Sequence, residues 1–479
     1  MNSAEQTLER SSPPDALHQA GIARQIAAYV HRAGDRPVPE AARQAAFKCI
    51  MDLLGAALAG VNEKAVVATR RMAVSMMGQG SVPVWFSDAK TTPAGAAWAN
   101  SAAASILDID DGNRLARGHP GAAIIPTAFA IGQETGASLE RIIAAIVIGY
   151  EVGVTIAAAR LVYGNTGTWS SYAVVATAAA LRGTGADVVE HALAIAGESA
   201  PNQLFASAAS QVPPPEGSDV KEGIPWSVVT GLMALGLAEG GHTGPRNILD
   251  SVNHYRFAED LNFGGELHIC RTYLKLYACC RHVHAPLDAL LATMGAHGIK
   301  GADIDAIEVD AYAGALRISN KVDPENLTDI QYSIPYCLGL VALAGREMLL
   351  PLTVEALGRD DVRKLAAKVT LRQCEEFNAS FPAQTLAKVA IIANGQRFVS
   401  GVTAPKGEAS DPLTWQETRA KFKDVSRWVA TEVTSDALLD AIEKMRDGSM
   451  DELTSQLSGL DLTSVNDAGR AAGSKGVLR

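Results

Sequence analysis

Small aliphatic residues dominate the first half of this 479-residue chain, and they constrain its fold more than any other feature. Alanine occurs in runs, as at residues 102–104 and 178–180, whereas aromatic residues make up only 5% of the chain. Alanine is the best helix former and is depleted in strands, so this composition favours closely packed helices over a β-sandwich. We therefore expect a mainly α protein.

Helical periodicity runs through the first 270 residues. Ile22, Ile26 and Val30 recur every four residues, which places them on one face of a helix. Gly and Pro lie at most junctions between such stretches, as turns require. Further helices are predicted at residues 95–107, 122–135, 139–161, 171–181, 186–197 and 225–238.

The pattern changes near residue 270. Residues 306–312 alternate apolar and polar side chains, which predicts a half-buried strand. Two further strands, 387–392 and 397–399, flank Asn394-Gly395, a strong hairpin turn signal.

Helical periodicity returns at residues 412–424 and 435–445. The residues therefore predict an α+β unit at about 271–404, inserted into a helical protein.

Composition and charge exclude several classes of function. The net charge of −10 argues against nonspecific nucleic-acid binding, which depends on Lys and Arg neutralising phosphates. Six irregularly spaced cysteines with no CxxC pair favour neither a disulfide framework nor a structural zinc site. The N-terminus lacks the apolar core of a signal peptide, and the long uncharged windows are too polar or too short to span a bilayer. We expect no membrane contact and a cytoplasmic location.

The first chemically suggestive cluster combines acidic residues with a histidine. Asp108, Asp110 and Asp111 end a predicted helix, where like charges repel each other and the helix terminus is already negative. His119 follows in a Gly-Pro-rich turn, and a general acid or base is a natural role for such a histidine. The alternative is a solvated acidic turn beside a capping histidine.

The second cluster is basic and contains Lys275, Cys280, Arg281, His282 and His284. In an acidic protein it makes a local positive patch, which is suited to an anionic substrate. Metal binding by the cysteine and the two histidines is disfavoured, because their spacing does not bring all three onto one helical face. The alternative is an ordinary amphipathic segment with buried cysteines.

Three further residues are ambiguous by themselves. Lys221 is not part of a cluster of charged residues, and such a lysine is usually solvated at the surface. Tyr332 and Tyr336 could be core residues or proton carriers. No phosphate-binding glycine motif accompanies them, so nucleotide binding has little support.

In combination, these segments resemble the MmgE/PrpD family, which includes 2-methylcitrate dehydratase, cis-aconitate decarboxylase and iminodisuccinate epimerase. The matching segments, in family order, are residues 51–60, 108–121, 149–151, 243–245, 275–288, 333–336 and 405–407. The resemblance implies a large all-helical main domain built from both chain ends (15–270 and 405–470), a smaller α+β lid domain (271–404) inserted in the middle, and a homodimer.

The resemblance also implies a set of site residues and no cofactor or metal. The implied catalytic residues are Asp108, His119, Lys275 and Tyr336, and Lys221 and Cys280 are the implied substrate-binding residues. We further expect Arg117 and His284 to contribute to substrate binding. In this scheme His119 moves a proton and Asp108 orients its imidazole. Tyr336 or Lys275 then protonates the departing hydroxyl or the carbanion.

The reaction expected is dehydration of a small di- or tricarboxylate of the 2-methylcitrate type, by proton abstraction α to a carboxylate. A cis-aconitate-type decarboxylase and an iminodisuccinate-type epimerase are the alternatives. Two departures from the family pattern stand out: Gly112 where the decarboxylases often carry threonine, and Gly164 in place of a second histidine. They keep open a catalytically silent member that binds a carboxylate or acts as a scaffold.

Overall fold

The computed structural model describes residues 21–34, 36–201, 216–258, 261, 263 and 265–459. Helices form most of the first half of this described chain, which confirms the mainly α prediction. They are α1 (Ile22–Ala33), α2 (Glu40–Gly60), α3 (Lys64–Met77), α4 (Pro93–Ser105), α5 (Gly121–Thr135), α6 (Leu139–Ala159), α7 (Gly167–Arg182), α8 (Ala186–Glu198) and α9 (Ile224–Glu239). The short strands β1 (Val82–Pro83), β2 (Lys90–Thr91) and β3 (Gly112–Asn113) lie between them.

Helix α7 lies at the centre of this half and contacts α1, α5, α6, α8 and α9. Small residues allow the close approach that the alanine-rich sequence predicts. A Cβ on Gly149 of α6 would lie 2.1 Å from Thr177 Oγ1, and one on Gly231 of α9 would lie 2.6 Å from the Val174 side chain. Because protein interiors are close-packed, larger side chains at these positions would force the helices apart.

Helix α6 is the one helix among the described residues that is long and apolar enough to cross a membrane by itself. In its most apolar window, 89% of the residues are buried inside the protein. It therefore packs as a core helix.

The second half mixes helices with strands. Its helices are α10 (Arg281–His297), α11 (Ala313–Arg317), α12 (Leu327–Gln331), α13 (Ile334–Ala344), α14 (Asp360–Ala366), α15 (Glu375–Ser380), α16 (Trp415–Ser426), α17 (Glu432–Arg446) and α18 (Asp451–Leu457). Its strands are β4 (Thr272–Tyr273), β5 (Ile304–Ala311), β6 (Val369–Gln373), β7 (Ala387–Ala393) and β8 (Gln396–Val399).

Strands β5 to β8 form one four-stranded sheet in the order β6-β5-β7-β8. Strand β5 pairs parallel with β6 and antiparallel with β7, and β7 continues into β8 through a tight hairpin. Asn394 and Gly395 turn that hairpin with φ values of 50° and 73°, the left-handed backbone that a type I′ turn requires. The predicted strands and hairpin are confirmed, whereas β6 was not anticipated.

One continuous hydrophobic core joins the helices to the sheet, and it includes Phe47 of α2 and Val309 of β5. Helix α16 packs against α2, while α10 packs against β7 and α13. The domain bounds and the action of the sheet region as a lid stay predictions.

Candidate active site

Asp108 lies in a tight turn shortly after α4. Its φ of 56° is the left-handed conformation that few residues other than glycine, asparagine and aspartate adopt readily. Its carboxylate is fully buried. A buried carboxylate is costly unless cations compensate it, so the residues around Asp108 decide what this turn does.

Strand pairing brings Lys275 to this turn. Strand β3 pairs antiparallel with β4, with Gly112 opposite Tyr273, and Lys275 follows two residues later. Its Nζ donates to the Asp108 carbonyl oxygen at 3.0 Å and lies 3.3 Å from Asp108 Oδ2. The two clusters found in the sequence therefore meet.

A second ammonium group reaches Asp108 from the turn that precedes α9. Lys221 Nζ donates to Asp108 Oδ1 at 2.7 Å and to Gln331 Oε1 at 3.0 Å. It also lies 5.2 Å from the centroid of the Tyr332 ring, within range of a cation–π interaction. The isolated lysine is therefore buried and paired.

His119 lies between two carboxylates. Its Nδ1 is 3.1 Å from Asp110 Oδ2, and its Nε2 is 3.5 Å from Asp108 Oδ1. Only 7% of this residue is exposed. The alternative of a solvated acidic turn is therefore not what the structure contains.

We call Asp108, Asp110, His119, Lys221 and Lys275 the Asp108 cluster. Burial raises the pKa of Asp108, but the ammonium groups and the imidazole nearby outweigh burial and hold it well below its usual range. Burial and the nearby ammonium group lower the pKa of His119, yet the two carboxylates outweigh them, so its pKa is raised. The pKa of Lys275 is likewise raised, because the carboxylates outweigh burial. Such opposed shifts are typical of functional sites.

Ligand atoms of Asp108, Asp110 and His119 all lie within 4.8 Å of one another, close enough to surround a metal ion. The carboxylate of Asp108 is already flanked by the ammonium groups of Lys221 and Lys275. A cation between them would face strong repulsion at this separation. The geometry fits a site whose positive charge comes from lysine, and the absence of a cofactor stays a prediction.

Of the other proposed substrate-binding residues, Cys280 lies near the Asp108 charge, and Arg117 precedes His119 by two residues in the chain. The backbone N–H of Cys280 donates to the Gln331 carbonyl at 2.8 Å. Burial, together with the smaller effect of the negative charge on Asp108, raises the pKa of the Cys280 thiol to about 12. Arg117 has a φ of 50° and holds its guanidinium 5.6 Å from the Tyr163 ring centroid. Tyr163 is partly exposed, so this pair lies at the surface side of the site.

The structure does not bring Tyr336 to the cluster. Its hydroxyl donates to the Ala356 carbonyl at 2.7 Å, and the charged groups that act on it are Arg359, Asp323 and Asp361. Its place within the buried face of α13 explains this, because that face packs against the chain before α14. The residue at the site is Tyr332, which lies in the bend before α13.

Both ring nitrogens of His284 are likewise engaged by groups outside the Asp108 cluster. Its Nδ1 is 3.1 Å from an Arg281 guanidinium nitrogen, and its Nε2 is 3.1 Å from the Cys279 carbonyl oxygen. Burial and the Arg281 charge lower its pKa well below the usual value. A neutral histidine with both ring nitrogens engaged supports the start of α10 and offers no free group to a substrate.

Sequence reasoning missed two residues of the site. Glu222, only 8% exposed, accepts a hydrogen bond from the Tyr332 hydroxyl at 2.7 Å. Gln331 donates from Nε2 to the Ile106 carbonyl at 3.0 Å while its Oε1 accepts from Lys221. The sequence did not indicate a functional role for either residue, because a Lys-Glu pair and a single glutamine are normally solvated at the surface.

The segment around Gly164 closes one side of the site without a histidine. Arg160 donates to the Gly164 carbonyl at 2.6 Å and to Thr168 Oγ1 at 3.1 Å. A Cβ at position 164 would lie 2.8 Å from Thr168 Oγ1. In this chain, arginine and threonine fill the space beside position 164.

Comparison with known proteins identifies the family of the chain. Residues 24–259 match the MmgE/PrpD N-terminal domain, and residues 277–447 match the MmgE/PrpD C-terminal domain. A cis-aconitate decarboxylase of Aspergillus terreus is 26% identical over 487 residues, covering 92% of this chain and 95% of the relative. A second, from Aspergillus terreus strain NIH 2624 / FGSC A1156, is 26% identical over 488 residues, with the same coverage. The two domain matches together span most of the chain in family order, and the chain belongs to the MmgE/PrpD family.

Proposed function

We propose that this chain is a cofactor-independent lyase that acts on a small di- or tricarboxylate. One observation carries the proposal: a buried histidine lies between two carboxylates, one of which is flanked by two buried ammonium groups. Folding stability alone does not favour such a concentration of charge, because each buried ion carries a desolvation cost of several kcal/mol.

Cationic side chains supply the means to bind a polycarboxylate. Lys221 and Lys275 offer ammonium donors, and charge-assisted hydrogen bonds to carboxylates are the strongest type. Arg117 adds a planar guanidinium that has no carboxylate partner within hydrogen-bonding distance among the described residues. We assign it to a terminal substrate carboxylate.

Proton transfer is the task of His119. A proton α to a carboxylate is weakly acidic, so its removal needs cations that stabilise the developing enediolate. The ammonium groups of Lys221 and Lys275 lie on the Asp108 side of the imidazole and fit that role. Asp110 at Nδ1 orients the ring and favours its protonated form, an action that the sequence had assigned to Asp108.

Loss of water is the reaction expected from the sequence, with a substrate of the 2-methylcitrate type. Loss of CO2 is the second candidate, and two observations favour it. Both curated relatives described above are named cis-aconitate decarboxylase. The raised pKa of His119 also suits proton delivery to a carbanion, the step that completes a decarboxylation.

The homodimer and the cytoplasmic location belong to the same proposal. The outer face of α9 supports a partner surface, because Trp226, Met233 and Leu237 are between 43% and 51% exposed on it. The mass of the purified protein in solution directly tests the proposed homodimer.

Proton NMR in deuterated water tests the reaction. Purified protein is incubated separately with citrate, 2-methylcitrate, cis-aconitate and iminodisuccinate, and Lys275→Met serves as the inactive control. New alkene signals without CO2 release support dehydration, whereas CO2 release from cis-aconitate supports decarboxylation. Deuterium incorporation without an alkene would replace both with epimerisation, and binding without turnover of any acid would contradict the lyase.

A further inference from the structure

Glu222 is a buried acid to which neither the family comparison nor the proposed mechanism assigns a role. It lies in a turn where Lys221, Glu222 and Gly223 have φ values of 47°, 56° and 71° in succession. Residues other than glycine rarely adopt this left-handed backbone conformation, and two of them in succession require support from the surrounding structure. A Cβ on Gly167 would lie 2.6 Å from the Glu222 carbonyl, so the start of α7 packs directly on this turn.

The Glu222 carboxylate joins two sides of the site. Its Oε2 accepts hydrogen bonds from the Thr166 N–H at 3.2 Å and from Thr166 Oγ1 at 2.8 Å. Its Oε1 accepts from the Tyr332 hydroxyl at 2.7 Å. Three donors from two separate segments therefore converge on one carboxylate.

Both partners lead directly to the Asp108 cluster. Thr166 Oγ1 accepts a hydrogen bond from the backbone N–H of His119 at 3.2 Å. The Tyr332 ring lies below the Lys221 ammonium at 5.2 Å. Glu222 thus connects the backbone of the proposed acid–base residue to the aromatic support of a proposed substrate-binding lysine.

Charge adds to the geometric link. Burial raises the pKa of Glu222, but the charges of His119 and Lys221 and the Tyr332 hydroxyl outweigh it, so Glu222 stays ionised. The charged groups that face His119 are Asp110 at Nδ1, Asp108 at Nε2, Lys275 beside them, and Glu222 through Thr166. An ionised Glu222 favours the imidazolium form.

We infer that Glu222 is a positioning residue of this active site: through Thr166 and Tyr332 it fixes His119 and Lys221 and adds a negative charge that favours protonated His119. The consequence for catalysis rests on the proposed lyase activity. The consequence for the protonation of His119 does not, and the experiment separates the two.

Glu222→Gln removes the charge and leaves the size of the side chain unchanged. With histidine labelled at 13Cε1 and the His119 signal assigned by its loss in His119→Asn, NMR titration measures the pKa of His119 directly. We expect that pKa to fall by about half a pH unit or more, because a nearby opposite charge is lost. We expect kcat to fall about 10- to 100-fold with a smaller change in KM, because a small misplacement of catalytic groups slows the chemical step.

Two variants serve as references. Glu198→Gln changes an exposed glutamate on α8 and should alter neither quantity. Glu222→Asp keeps the charge with a shorter reach, so it should restore most of the His119 pKa and only part of kcat.

An unchanged His119 pKa in folded Glu222→Gln would overturn the inference. If wild-type protein turns over no acid but the pKa still falls, the lyase proposal fails while the charge coupling stands. If Glu222→Gln does not fold, Thr166→Val breaks the same link. It should shift the His119 amide resonance and lower kcat, and no change in either would overturn the inference.

Discussion

Gly112 and Tyr273 approach each other so closely that the missing side chain at position 112 shapes one wall of the site. A Cβ on Gly112 would lie 2.3 Å from both Cζ and the hydroxyl oxygen of Tyr273. The ring has little room to retreat, because the guanidinium carbons of Arg114 and Arg281 lie 5.0 Å and 4.6 Å from its centroid. Lys275 follows Tyr273 by two residues, so a shift of the β4 backbone would also displace Lys275.

Gly112→Ala should therefore destabilise the protein by about 1–3 kcal/mol, the usual cost of overpacking. Gly295→Ala is the matched control, since nothing lies within 4 Å of its added Cβ inside α10. Alanine should stabilise that helix position by up to about 1 kcal/mol. Denaturant unfolding measures both, and equal effects of the two substitutions would contradict the close contact.

At the scale of single residues, the sequence predicted the charged centre better than its surroundings. Asp108, His119 and Lys275 belong to the two clusters of charged residues that the sequence analysis singled out, and the structure brings them together. Tyr332 and Tyr336 are both buried and only four residues apart, so the sequence could not decide which one faces the site. The bend between α12 and α13 decides it, and bends depend on tertiary packing.

At the scale of elements, α16 connects the last part of the chain to the site. Lys421 of α16 forms a buried ion pair with Asp52 of α2 and donates to the Ile109 carbonyl at 2.7 Å. Burial lowers the pKa of the lysine and raises that of the aspartate, and each partner opposes the shift of the other. One side chain thus anchors α16, α2 and the acidic segment to each other.

Lys421→Met should cost about 3–5 kcal/mol of unfolding free energy, because it leaves Asp52 buried without its cation. Lys423→Met, two residues away, removes an ion pair with Asp436 whose side chains are 42% and 43% exposed. Such surface pairs contribute only about 0–1 kcal/mol. Urea denaturation compares the two, and a similar small loss for both variants would refute the anchoring role of Lys421.

Most helices of the first half were predictable, because small apolar residues and glycine boundaries repeat there over long stretches. Strand β6 was not predicted, since it is a short strand at the edge of the sheet and three of its five residues are exposed. Its pairing with β5 is parallel and distant in sequence, so no local turn signal announces it. Long-range pairing is the part of the fold that local patterns leave open.

At the scale of the whole molecule, the net charge of −10 does not describe the site. The acidic excess is distributed over the whole chain, whereas Lys221 and Lys275 are buried together with only 3% and 0% exposure. An ammonium group inside a low-dielectric protein interacts with a ligand carboxylate more strongly than the same group does at a solvated surface. An acidic protein can therefore bind an acidic substrate.

The central claim is that His119 in the Asp108 cluster transfers a proton to or from a carboxylate substrate. Turnover by His119→Asn, on whichever acid the wild type converts, tests it most directly, with His31→Asn on the exposed end of α1 as the control. We predict that kcat/KM falls at least about 100-fold in His119→Asn, that His31→Asn matches wild type, and that circular dichroism shows both variants to be folded. A folded His119→Asn that retains near-wild-type turnover would contradict the account.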